Sequence, residues 1–215
     1  MHGVRVVVIT DRRLYASEEI AGRALAIARG APRGRIAFQL REKDLDGGPL
    51  LQLARELVEV AGPVGAPVWI NDRVDVARSV GAHGVHLPER GLAIADARAV
   101  GAGLAVACSR HSLDGVAAAV AAGVDAIQVG PIWEVPGKGP ALGPSALAVM
   151  RSAAGTVPLV AVGGVDTADR AFACAQAGAD AVAVIRAAWT ARHPERLIGE
   201  LVAAVEAGIA ARDGG

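Results

Sequence analysis

Two cations stand two residues apart in Gln39-Leu-Arg-Glu-Lys43. On extended backbone that spacing turns Arg41 and Lys43 to one side. Paired cations there suit a phosphate or a pyrophosphate, although the same pair would also serve surface ion pairs with Glu42 or Asp44. A second anion signal is Val162-Gly163-Gly164-Val165. Two residues without Cβ let backbone N–H groups approach a ligand closely, or make a plain tight turn. Arg186 adds a positive charge after the next apolar run. His111 supplies an imidazole able to take and return a proton near neutral pH, and a His before a helix also serves as a cap. His86 reads as a support residue. Asn71-Asp72 pairs an amide with a carboxylate that either reaches a ligand or bonds its own loop. Lys138 lies in a Gly/Pro-rich stretch, 136–143, with the composition of a mobile lid.

These residues are positioned by a repeating unit. Short β-branched runs at 4–10, 35–40, 68–70, 84–87, 104–108, 126–129, 158–162 and 181–185 read as strands. Ala-rich amphipathic stretches at 18–29, 50–60, 74–80, 94–100, 113–122, 145–153, 168–177 and 195–210 read as helices. The strands are continuous apolar runs, as expected when both faces are covered. Several helices stop at a glycine, among them Gly81, Gly123 and Gly178, and Gly-(Ala/Val)-(His/Asp)-(Gly/Ala) recurs after these three. Eight strand–helix units predict a single (β/α)₈ TIM barrel over 1–212, with a loose tail at 213–215. An open doubly wound sheet is the second choice, and no GxGxxG follows the first strand to support it. In the barrel every residue named above falls at a strand's carboxyl end, the active-site face, with phosphate bound after strands 7 and 8.

The chain has 215 residues and a formal net charge of zero, so nothing in its balance calls for nucleic acid or an anionic membrane. Cys108 and Cys174 lack CxxC spacing and read as reduced thiols. No apolar run reaches membrane-spanning length, and a cytoplasmic protein is the expectation.

Taken in order, Gln39-Leu-Arg-Glu-Lys43, Asn71-Asp72-Arg-Val-Asp75, Gly84-Val-His-Leu87, Gly130-Pro-Ile132 and Gly163-Gly164 resemble the thiamine phosphate synthase and thiazole tautomerase (TenI) superfamily along nearly the whole chain. The resemblance implies that Gln39, Arg41, Lys43 and Asn71 match positions holding the pyrophosphate of an aminopyrimidine substrate. Asp72 matches a Mg²⁺ ligand, and the twin glycines match the holder of a thiazole phosphate. Three departures stand out. Gly91 occupies the second Mg²⁺-ligand position, Val135 and Gly137 replace a pair of Thr before Lys138, and Arg186 replaces a Ser. Leu87-Pro88 and His111-Ser112-Leu113 look closer to the tautomerase branch.

The resulting expectation is a thiazole tautomerase, an isomerase that makes an aromatic carboxythiazole phosphate. His111 would be catalytic; Gln39, Arg41, Lys43, Asn71, Lys138, Gly163, Gly164 and Arg186 would bind substrate, with His86 and Asp72 in support. No metal or cofactor is expected. The alternative is a thiamine phosphate synthase, a transferase using Mg²⁺ through Asp72. A non-catalytic thiazole-phosphate-binding regulatory protein is the third reading. The partner in each case is a small phosphorylated thiazole, and a homo-oligomer is expected from the resemblance.

Overall fold

The computed structural model describes Met1, residues 3–16 and residues 19–214. Eight parallel strands close into a ring in chain order, β1-β2-β3-β4-β5-β6-β7-β8, with β8 pairing back onto β1. They are β1 (Val6–Ile9), β2 (Ile36–Leu40), β3 (Val68–Asn71), β4 (Gly84–Leu87), β5 (Ala105–Arg110), β6 (Ala126–Val129), β7 (Leu159–Val162) and β8 (Ala181–Val184). The helices are α1 (Ile20–Ala28), α2 (Gly47–Ala61), α3 (Val74–Ser79), α4 (Ile94–Val100), α5 (Leu113–Ala121), α6 (Pro144–Ala154), α7 (Ala168–Gln176), α8 (Arg186–Thr190) and α9 (Pro194–Asp213). This is the (β/α)₈ barrel that the repeat predicts. The predicted first turn of α1 begins at Glu18, outside the described residues. The last helix runs through Asp213. The short α8 carries no separate signal in the sequence, because its five residues are too few for a periodic pattern.

Strand residues alternate between two cores. One set faces the helices and forms the large core, including Val6, Val8, Phe38, Ile70, Val85 and Leu159. The other set fills the barrel: Val7, Ile9, Ala37, Trp69, Ala107, Ala126, Val160, Ala181 and Ala183. Most of these interior residues are small, and one is an indole. A Cβ on Gly84 would lie 2.6 Å from Trp69 Cζ3 and 2.4 Å from the Ala105 carbonyl oxygen. The glycine is therefore the space that Trp69 occupies.

The recurring Gly-x-(His/Asp) run has a physical cause at the barrel's amino end. Gly81, Gly123 and Gly178 have φ of 63°, 75° and 121°, ending each helix in a conformation that side chains resist. Two residues later the backbone joins the ladder. The N–H groups of His83, Asp125 and Asp180 donate to the carbonyls of Val68, Val106 and Leu159. The two aspartates also accept from the preceding strand: Val106 N–H reaches Asp125 Oδ2 at 2.7 Å and Leu159 N–H reaches Asp180 Oδ2 at 2.9 Å. Strand N–H groups that would otherwise lie unpaired at the ladder's start are thus satisfied. Arg98 and Arg151 hold these carboxylates at 2.9 and 2.6 Å.

Among the described residues no helix is long and apolar enough to cross a membrane. Asp180→Ala should remove an acceptor from Leu159 N–H and the partner of Arg151, costing about 1–3 kcal/mol. Urea denaturation measures this; a midpoint equal to wild type would refute the role assigned to the repeat.

Candidate active site

The interior set changes chemistry as it climbs each strand. Two residues beyond Ala37 stands Gln39, beyond Trp69 stands Asn71, beyond Gly84 stands His86, beyond Ala107 stands Ser109, and beyond Ala126 stands Gln128. Register brings neighbours together: Asn71 opposes His86, and Ser109 opposes Gln128. Closure brings opposite strands together as well. Gln128 Nε2 donates to Gln39 Oε1 at 2.6 Å across the barrel, between two buried side chains. His86 is also buried, with Nε2 2.8 Å from Ser109 Oγ. Burial lowers its pKa to about 3, helped by the charges of Arg41 and Arg110. Burial thus favours the neutral imidazole over its charged form.

Above this polar floor opens a cleft of about 580 Å³. Gln39, Arg41, Lys43, Asn71, His86, His111, Lys138 and Gly163 all line it, so residues spread over the sequence meet in one place. Arg41 is set by a staple between two loops. Its N–H donates to Thr10 Oγ1 at 2.9 Å, and Glu42 Oε2 accepts from Arg12 N–H at 3.0 Å while Glu42 Oε1 is buried without a partner. Glu42 is 5 % exposed, and burial raises its pKa.

A second cleft of about 410 Å³ adjoins the first and shares Val135, Val162, Gly163 and Ile185 with it. Gly163, Gly164 and Arg186 line it, at the ends of β7 and β8. The glycines have φ of 97° and 69°. A Cβ on Gly163 would lie 2.7 Å from Pro131 Cα, and one on Gly164 2.5 Å from Trp133 Cβ. The loop after β6 therefore rests directly on them, with Trp133 N–H bonded to the Gly163 carbonyl at 3.0 Å. Packing and φ both demand glycine here, apart from any ligand. Arg186 is the first residue of α8, which is anchored by Trp189 Nε1 donating to the Ile9 carbonyl at 2.7 Å. Thr167 caps α7, accepting from Arg170 N–H at 3.3 Å.

His111 stands at the rim, about half exposed. Its Nδ1 hydrogen-bonds the Gly130 carbonyl, its N–H donates to Glu89 Oε1 at 3.3 Å, and its Nε2 lies 3.8 Å from Glu89 Oε2. The helix cap beside it is Ser112, whose hydroxyl accepts from Gly115 N–H at 3.2 Å. A carbonyl oxygen can only accept, so Nδ1 is the protonated donor in this bond.

Asp72 does not line the large cleft. It borders a smaller cavity beside it, with Glu42, Lys43 and Asn71. Its φ of 65° is left-handed, a strained conformation for a non-glycine residue. A Cβ on Gly91 would lie 2.9 Å from Asp72 Oδ1, so position 91 is directly beside this carboxylate.

Arg13 and Arg170 are functional candidates with no motif to announce them. Arg13 lines the large cleft, bidentate on Asp11 at 2.8 and 2.7 Å, and holds that carboxyl below the usual range. Arg170 lines the second cleft and donates to the Gly164 carbonyl at 2.8 Å, with its guanidinium 5.2 Å from the Trp133 ring centroid. Its spacing of four from Asp166, an ion pair at 2.9 Å, was the available clue. A cleft of about 540 Å³ lies at the opposite, amino end. Its Arg151 and Arg212 are spent on Asp180 and on backbone carbonyls.

Cys108 and Cys174 are free and buried, and burial raises each thiol to about 11.

Residues 6–188 match the family described as thiamine monophosphate synthase. The thiamine-phosphate synthase of Thermus thermophilus is 36 % identical over 199 residues, 91 % of this chain and 94 % of that protein. That of Xanthobacter autotrophicus is 39 % identical over 200 residues, 92 % of this chain and 93 % of that protein. Among solved structures, the thiamine phosphate pyrophosphorylase from Pyrococcus furiosus superposes with a TM-score of 0.86 at 26 % identity, covering 96 % of this chain and 98 % of that one.

These relatives correct the expectation of a thiazole tautomerase, both as function and as isomerase class. They carry the synthase name, and the leaning toward the tautomerase branch finds no support. Leu87-Pro88 and the His-Ser pair were weak guides because each has a local duty: Ser112 caps α5, and Pro88 packs at the turn against position 91.

Because buried His86 stays neutral to about pH 3 while an unfolded His protonates near 6.5, the unfolded chain binds the extra proton between these values. Stability should therefore fall as pH drops through 6.5, by up to about 1.4 kcal/mol per pH unit from this group. His86→Gln should flatten that slope in urea titrations between about pH 7 and pH 4; parallel profiles would exclude the buried neutral imidazole.

Proposed function

The chain belongs to the thiamine monophosphate synthase family, and on that premise we propose that it is a thiamine-phosphate synthase, a transferase joining an aminopyrimidine pyrophosphate to a thiazole phosphate. One observation carries the reading: two cation-bearing clefts adjoin and share Val135, Val162, Gly163 and Ile185, one with Arg41, Lys43 and Lys138, the other with Arg186 and Arg170. A coupling reaction must hold two anionic substrates with their reacting atoms adjacent. A proton shift on one phosphorylated ring needs only one such cleft.

In this reading the pyrophosphate lies against Gln39, Arg41, Lys43 and Asn71, and the thiazole phosphate lies against Gly163, Gly164 and Arg186. The shared wall of Val135, Val162 and Ile185 holds the two rings together and excludes water from between them. The bond from the pyrimidine methylene to the pyrophosphate oxygen breaks, and its electron pair leaves with the pyrophosphate. The thiazole nitrogen lone pair forms the new C–N bond, leaving the ring cationic. Arg41 and Lys43 stabilise the charge that grows on the departing oxygen. The neutral floor of Gln39, Gln128, His86 and Ser109 offers hydrogen bonds to the aminopyrimidine without adding charge. His111 presents its Nε2 at the rim as a polar contact for substrate.

Asp72 shares its cavity with Glu42, whose buried Oε1 has no hydrogen-bond partner, and among the described residues no three His, Cys, Asp or Glu gather within reach of one ion. Mg²⁺ ordinarily takes one or two carboxylates together with substrate phosphates, so these two acids are the residues that would hold it, where it would neutralise charge on the pyrophosphate. No step here is routed through it.

The test supplies both substrates, with Mg²⁺ present, to purified protein and follows thiamine phosphate and pyrophosphate. They should appear in equal amounts. Arg41→Ala should lower kcat/KM about 10–100-fold, the value of a lost charge-assisted hydrogen bond. Arg186→Ala should raise KM for the thiazole phosphate about 10-fold and leave that for the pyrimidine. No coupled product from the wild type would end the proposal.

A further inference from the structure

We infer that Arg23, which lines neither cleft, is a positioning residue for the thiazole-phosphate subsite: its guanidinium grips α8 and so sets the helix that carries Arg186. The inference rests on the synthase reading for the identity of the phosphate. Its physical basis is the way a very short helix is held in place.

Helix α8 has five residues, and three of them, Arg186, Ala187 and Thr190, line the second cleft. The direction of this helix therefore decides where the Arg186 side chain starts and what shape that wall takes. A helix so short is not stable by itself. Its own ladder is thin: the N–H groups of Ala188 and Trp189 share one acceptor, the Ile185 carbonyl, at 3.2 and 3.4 Å. Its last carbonyls have no helical partner and need donors from elsewhere.

Arg23, on α1, supplies them. Its Nη2 donates to the carbonyls of Ala188 at 3.4 Å and Trp189 at 3.2 Å, and to that of Ala191. A charged donor holds a carbonyl more firmly than a neutral one. The guanidinium is also aimed: its Cζ lies 5.4 Å from the Tyr15 ring centroid, and that ring lies 6.2 Å from the Trp189 ring. Arg23 Nε is buried with no partner, a desolvation cost accepted so that Nη2 can meet the carbonyls. Trp189 Nε1, on the Ile9 carbonyl at 2.7 Å, ties the same helix to the end of β1. Two side chains thus hold α8 from outside. Trp189 anchors it to the barrel, and Arg23 sets its carboxyl end. Without Arg23 the helix keeps one anchor and pivots about it, which carries Arg186 away from the phosphate. Arg41 has no share in that movement, because its backbone is set by Thr10.

The test measures kcat and both substrate KM values in the coupling assay, and calorimetric binding of thiazole phosphate alone, for the whole protein and its variants. Arg23→Ala should weaken thiazole phosphate about 10-fold in KM and in affinity, with kcat and the pyrimidine KM within about twofold of wild type and circular dichroism unchanged. Arg23→Lys keeps a charged donor and should stay within about threefold of wild type. Trp189→Phe loses only the indole N–H on Ile9; it should weaken thiazole phosphate at least about threefold, and it tests the hold on α8 should Arg23→Ala not fold. A merely structural role would lower the Tm of Arg23→Ala without separating the two KM values. That result, a lysine variant no better than alanine, or wild-type affinity in Trp189→Phe would overturn the inference. The outcomes separate from those of the synthase reading. Coupling by the wild type with both KM values equally affected in Arg23→Ala removes only this inference. Thiazole-phosphate binding that weakens in Arg23→Ala, with no coupled product from the wild type, removes only the synthase reading.

Discussion

Closure of the eight-stranded ring is the constraint on which everything else depends. It is possible because the inward positions are mostly Ala and Val around a single indole, with Gly84 vacating the volume that Trp69 fills. A ring closed this tightly forces side chains of opposite strands into contact, and the Gln128–Gln39 hydrogen bond between β6 and β2 is that contact at the barrel's mouth. An open sheet would leave these two amides far apart, and the polar floor would not exist.

From this follows the electrostatic character of the site. The interior is apolar up to the level of Ala37, Trp69 and Ala126, and one step higher it becomes neutral and polar. Charges begin only above that, on loops. His86 marks the boundary: it is deep enough that burial and the nearby arginines keep it uncharged, yet hydrogen-bonded to Ser109 and so not an orphan. Arg41 is placed through its backbone N–H on the Thr10 hydroxyl, whereas Arg13 and Arg170 are paired with Asp11 and Asp166.

Several residues have a double duty that complicates inference from residue type. Gly163 and Gly164 meet the requirements of an anion-binding turn, but they are equally the surface on which the β6 loop is laid down. Ser112 looked like a family marker and acts as a helix cap, while Pro88 excludes a side chain from position 91. A local structural duty gives the same residue type for a different reason. This is why two short signals, Leu87-Pro88 and His111-Ser112, pointed to an isomerase when the relatives of the whole chain are named as synthases.

The order of residues was enough for the barrel, its eight units, the glycine stops, and the gathering of Gln39, Arg41, Lys43, Asn71, His86, His111, Lys138 and Gly163 on one face, since apolar strand runs, amphipathic helices and strand ends are local properties. The same locality hid α8, the placement of Arg13 and Arg170 on the clefts, and the closeness of position 91 to Asp72. Each of these depends on distances between segments remote in the chain or on side-chain direction in irregular loops, where no period constrains it. The question of one cleft or two was likewise beyond a linear reading, because it turns on whether Val135, Val162 and Ile185 form a shared wall. Only packing in three dimensions sets that separation.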